Sequence, residues 1–121
     1  MAERKKAILL VEDNPGILKV LALKLKLEGY NVLTARDGRK AMELLKSEKP
    51  DILLLDLLLP EMDGLEVLEK LQGSSGIPVV AFSAHKDMGR KALMLGARAF
   101  IAKPFDPDSM VRKTREILAE E

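Results

Sequence analysis

The stretch Asp51-Ile-Leu-Leu-Leu-Asp56-Leu-Leu-Leu-Pro-Glu-Met-Asp-Gly64 sets Asp56 between two runs of three leucines. A carboxylate among that much hydrocarbon is costly unless it is paired or stands at the edge of the apolar run. Ile52–Asp56 is short, apolar and without alternation, as expected of a strand buried on both faces of a parallel sheet. Ala7–Val11, Val32–Ala35, Val79–Ser83 and Phe100–Ala102 have the same character.

Helix punctuation separates these runs. Asp13 and Asn14 precede Pro15, a capping residue followed by proline in the first turn, and Gly29 closes that segment. Asp37-Gly38 opens the next, which Pro50 stops. Asp63-Gly64 opens a third that fades at Gly73, a fourth ends at Gly96, and Asp106-Pro107 opens the last. Within the first, Leu21, Leu23, Leu25 and Leu27 alternate like a strand, but Ile17, Leu18, Leu21 and Leu25 also form one helical face, and length and caps favour helix. Five strand-then-helix units with right-handed crossovers predict an α/β fold, a five-stranded parallel sheet covered on both faces.

Composition bounds the function. The 121 residues suit one domain, 1–121, and 47% apolar with 32% charged residues reads as soluble and globular. A net charge of +1, with no basic block beyond Arg4-Lys5-Lys6, argues against direct nucleic-acid binding. The absence of cysteine excludes disulfides, thiol catalysis and thiolate zinc sites. No apolar run is long enough to cross a membrane and no apolar signal core is present, so no membrane association and a cytoplasmic location are expected. "QGSSG", Gln72 to Gly76, reads as a loop rather than an interdomain linker.

In open parallel sheets ligands bind beyond the carboxyl ends of the strands. Asp56 ends the third expected strand, Glu12 and Asp13 follow the first, Ser83 ends the fourth, and Lys103 follows the fifth. Three carboxylates at one rim repel one another unless a cation sits among them. Hard oxygens without histidine or thiol suit magnesium, which keeps waters and pairs with phosphate. A lysine and a hydroxyl opposite suit the equatorial oxygens of a phosphoryl group, and one carboxylate could be its nucleophilic acceptor.

The set "VEDN", "LLLDLLLPEMDG", "FSAH" and "FIAKPF", in that order, resembles the receiver domain of two-component response regulators, most of all single-domain chemotaxis-type regulators. The resemblance covers essentially the whole chain. It implies a doubly wound, flavodoxin-like (βα)5 fold with strand order 2-1-3-4-5. It further implies a phosphorelay switch, not an enzyme in the strict sense, that takes a phosphoryl group from a phosphohistidine onto Asp56. Asp13 and Asp56 would bind Mg2+ directly, Glu12 through a water, and the backbone carbonyl of Leu58 would add a ligand. Ser83 would bond the phosphoryl oxygens and Lys103 would pair with them. Phe100 falls at the aromatic switch position, and Lys103-Pro104 at the family's cis peptide. The expected partners are a sensor histidine kinase or phosphotransfer protein and a downstream protein target. Either a stand-alone regulator or the receiver of a longer protein fits. Ser83 stands where threonine is commoner and Phe100 where tyrosine is. The stretch from Ser83 to Lys103 is about two residues shorter than usual.

Singly, each residue has a plainer reading. Glu12-Asp13 would favour a helix N-terminus, Asp56 could be a strand-end acid paired with Lys103, and Phe100 would be core. His85 reads as a loop residue beside the site, Met62 and Asp63-Gly64 as loop geometry, and the six methionines as core filler. Four such coincidences at successive strand ends make the joint reading stronger. A flavin or nucleotide binder would need a glycine-rich phosphate loop where "EDNPG" places acids. An aspartate-nucleophile phosphatase would carry a second acid where Leu58 stands, and a phosphorylation-independent scaffold would have lost the acids or the lysine.

Overall fold

The computed structural model describes residues 4–60, 63–71 and 76–120. Strands β1 (Ala7–Val11), β2 (Asn31–Ala35), β3 (Ile52–Asp56), β4 (Val79–Ser83) and β5 (Ala99–Ala102) alternate with helices α1 (Pro15–Leu27), α2 (Gly38–Glu48), α3 (Gly64–Leu71), α4 (Met88–Met94) and α5 (Pro107–Glu120). All pairings are parallel and the order is β2-β1-β3-β4-β5, the expected doubly wound sheet. The helix end expected at Gly73, the loop at Gln72–Ser75 and the loop residue Met62 lie outside the described residues.

The leucine run divides by the two-residue period of a strand. Leu53, Leu55 and Leu57 join Leu9, Val11 and Ala81 in a core closed by α2, α3 and α4. Ile52 and Leu54 join Ile8, Leu10, Val80 and Phe82 in a second core under α1 and α5. Full burial of each such side chain contributes about 1.5–3 kcal/mol. The expectation of burial on both faces holds for β3 and β4 and nearly throughout β1, but not for β2 and β5. Those two are the sheet's edges, where one flank has no neighbouring strand and solvent reaches the backbone.

The segment with competing strand and helix periods is α1. Asn14 caps it, its side-chain oxygen accepting from the amides of Gly16 and Ile17 at 2.9 and 3.1 Å. Leu21 and Leu25 are buried and Ile17 and Leu18 pack beside them, while Val20, Leu23 and Leu27 form an exposed second stripe. Asp37 caps α2 by accepting from the Lys40 amide at 2.7 Å. Left-handed glycines with φ of 98° and 107°, Gly29 and Gly96, follow α1 and α4, as the punctuation requires.

Candidate functional site

Strand pairing brings the rim together. The Glu12 amide donates to the Ala35 carbonyl at 3.0 Å, which extends the β1–β2 ladder one residue past β1. The Leu57 amide donates to the Phe82 carbonyl at 2.9 Å and the Lys103 amide to the Ser83 carbonyl at 2.8 Å. The ends of β1, β3, β4 and β5 therefore stand level. Glu12, Asp13 and Asp56 can each present an oxygen within 4.8 Å of the others.

Asp56 is buried and its carboxylate is held from two sides. Oδ1 accepts from the Leu58 amide at 3.0 Å and Oδ2 accepts from Lys103 Nζ at 2.9 Å. The ammonium also lies 2.7 Å from Glu12 Oε1, so one cation serves two acids and answers the cost posed by the leucine run. Burial acts to lower the Lys103 pKa, but the Glu12 and Asp56 carboxylates together outweigh it and hold it above its ordinary value. The ammonium lies 5.5 Å from the Phe82 ring centroid, close enough for a cation–π contribution.

Glu12 is fully buried, and Oε2 accepts from the Asn14 amide at 3.0 Å. Its Oε1 lies 2.7 Å from the Lys103 ammonium and has no other partner among the described residues. A buried carboxylate oxygen with spare acceptor capacity, beside two further acids, is a donor set that fits a hard divalent cation. Asp13 is half-buried and its carbonyl accepts from Arg36 Nη2 at 3.1 Å.

Ser83 is fully buried at the end of β4 and its hydroxyl is engaged within its own loop. Phe100, half-buried on β5, packs with the α2–α3–α4 core, its ring against Gly89. His85 is exposed. Leu58, whose amide holds Asp56, is 41% exposed. The Lys103-Pro104 peptide is cis.

A family model for the response regulator receiver domain matches residues 8–115. The chain belongs to that family. This receiver is 35% identical over 118 residues to the probable transcriptional regulator ycf27 of Guillardia theta, covering 96% of this chain and 46% of that protein. It is 35% identical over 123 residues to the transcriptional regulatory protein GlrR of Escherichia coli (strain K12), covering 99% of this chain and 28% of that protein. The receiver thus spans about half or less of the length of these relatives. Among solved structures, a response regulator receiver domain protein (CheY-like) from Methanospirillum hungatei JF-1 superposes with a TM-score of 0.90 at 31% identity, covering 97% and 96% of the two chains. The BeF3-activated receiver domain of Klebsiella pneumoniae RstA gives 0.86 at 30% identity over 93% and 98%. The fold and family expected from the motifs are thereby shown, and the receiver is a module of two-component signalling. No helix among the described residues is long and apolar enough to cross a membrane.

Three residues of the site were given no role in it by the motifs. Arg36 reaches Asp13 only because β2 lies beside β1. Gly64, read as loop geometry, seats the β3–α3 connection: its amide donates to the Leu57 carbonyl at 3.0 Å, and a Cβ there would lie 2.4 Å from Leu57 Cα. Met88, read as core filler, contacts the Ser83 hydroxyl. The D-G pair and the glycine before an apolar helix were visible; the contact that makes Gly64 necessary was not.

Proposed function

We infer that residues 1–121 act as one phosphoryl-accepting domain, with Asp56 as acceptor. The observation that carries this reading is the doubly held Asp56 carboxylate in the acid cluster, with Lys103 Nζ 2.9 Å away as a fixed positive charge. One Asp56 oxygen attacks the phosphorus of a phosphohistidine. The O–P bond forms as the N–P bond breaks, and the imidazole leaves with the electron pair. Lys103 would balance the added charge on the phosphoryl oxygens, and the Ser83 hydroxyl, once turned from its resting partner, would donate to one of them. Asp13 and Asp56, with Glu12 through a water and the Leu58 carbonyl, would hold Mg2+, which would neutralise phosphoryl oxygens during transfer. Hydrolysis reverses the state when water attacks the phosphorus and the Asp56 carboxylate leaves. The domain thus catalyses only its own modification.

The donor is a sensor histidine kinase or phosphotransfer protein, and the output is a changed contact with a downstream protein rather than with nucleic acid. The cytoplasm, where such donors present phosphohistidine, is the matching compartment. Acetyl phosphate with magnesium tests the acceptor: the intact mass should rise by one base-labile phosphoryl group in the wild type and not in Asp56→Asn. A mass increase that persists in Asp56→Asn would overturn the assignment.

A further inference from the structure

The Ser83 hydroxyl is occupied at both ends within the loop it begins. It accepts from the His85 amide at 3.0 Å and donates to Met88 Sδ at 3.5 Å, a distance suited to a sulfur acceptor. Ser83 has no solvent exposure, so water does not compete for either bond. To donate to a phosphoryl oxygen on Asp56, the hydroxyl must give up the thioether.

Asp87, at the N-cap of α4, makes no side-chain capping hydrogen bond. The first turn is fastened by the Met88 and Gly89 amides, which donate to the carbonyls of His85 and Lys86 at 3.1 and 3.2 Å. Gly89 then bears on Phe100: a Cβ at residue 89 would lie 2.8 Å from Cδ2 of the ring, so the ring occupies the space a side chain would fill. Ser83 and Phe100 therefore touch consecutive residues of one short helix, and Met88 is the polar link between the hydroxyl and that helix.

We propose that Met88 is a positioning residue for Ser83: its thioether parks the hydroxyl against α4 in the resting receiver, so that the hydroxyl must leave Met88 before it can turn to the phosphoryl group. This rests on Asp56 being the acceptor. The hydroxyl exchanges a weak sulfur acceptor for a charged oxygen, so the exchange is favourable once phosphate arrives and unfavourable before. The parked state then slows phosphorylation slightly and keeps the unmodified receiver off.

The test is a double-mutant cycle. Met88→Leu keeps the apolar volume and removes the acceptor, and Ser83→Ala removes the hydroxyl. With acetyl phosphate and magnesium, Met88→Leu should raise the Asp56-dependent labelling rate about two- to fivefold, as loss of one weak hydrogen bond implies. In the Ser83→Ala background the same change should leave the rate unaltered. Urea unfolding of the four unphosphorylated proteins reads the same contact without phosphate, and Met88→Leu should cost more with Ser83 present than in the Ser83→Ala background. A rate increase that persists in Ser83→Ala, or no coupling in the unfolding cycle, would overturn the proposal. Coupling in unfolding with an unchanged labelling rate would reduce the contact to a static one and overturn it as well. Labelling that persists in Asp56→Asn would instead fail the acceptor assignment, and the positioning role with it.

Discussion

Replacing Lys103 by methionine removes the one charge that Glu12 and Asp56 share, while keeping an unbranched apolar stem of similar reach. The two acids left behind have side chains 0% and 3% exposed, and stand opposite the ammonium at 2.7 and 2.9 Å. Removing one partner of a buried ion pair typically costs about 3–5 kcal/mol. The lysine side chain is 18% exposed, so water can enter where the ammonium was. That access to water brings the expected loss below this range, to about 2–3 kcal/mol at neutral pH without metal. Urea unfolding followed by circular dichroism measures it. Magnesium should then restore more stability to Lys103→Met than it adds to the wild type, because no ammonium has to yield. At a hundred times the dissociation constant the gain is about 2.7 kcal/mol. The sign of the pH dependence follows from the raised Lys103 pKa. The ammonium's contribution is full below the unfolded value near 10.5 and is lost as pH rises through the higher folded value. The stability gap between wild type and variant should therefore close only above about pH 10.5. A variant as stable as the wild type without magnesium, or an equal magnesium gain in both, would refute the shared-cation account.

Leu58→Asn should shorten the life of the phosphorylated state, since an amide two residues after Asp56 could orient water where the 41%-exposed leucine cannot; loss of label after donor removal measures it, and decay no faster than wild type refutes it. His85→Ala should change that decay little or slow it, because a neutral imidazole could accept a proton from the attacking water. Leu23→Lys should slow transfer from a cognate kinase yet leave acetyl-phosphate labelling intact, as Leu23 is 58% exposed on the outer stripe of α1. Its effect on stability should stay within about 0.5 kcal/mol, and equal loss in both labelling assays would indicate damage to the fold. Gly64→Ala should destabilise by about 1–3 kcal/mol or more in urea unfolding, because the new Cβ would meet Leu57 Cα at 2.4 Å; a neutral effect would mean that the connection has room to move.

The leucine run, the caps at Asn14 and Asp37 and the glycines after α1 and α4 were legible in the sequence because each acts over a few residues. Strand period, capping and left-handed backbone are local properties, and five repeats of strand then helix leave few topologies. The rim set of Glu12, Asp13, Asp56, Ser83 and Lys103 was legible for a related reason. In a parallel sheet every strand ends on the same side, so residues at successive strand ends must converge. Tertiary structure alone decided how they meet. The Asp56–Lys103 pair was one of the readings the sequence offered; that the same ammonium also serves Glu12 depends on sheet order, register and side-chain rotamers together. The half-exposure of β2 and β5 likewise follows from their places at the sheet edges, which their apolar composition does not reveal. Arg36 at the Asp13 carbonyl, Gly64 against Leu57 and Met88 beneath the Ser83 hydroxyl are contacts between side chains and backbones that only folding brings into register. Local interactions wrote the elements; distances of a few ångström between their ends, invisible to any period or motif, settled which charges and hydroxyls answer one another.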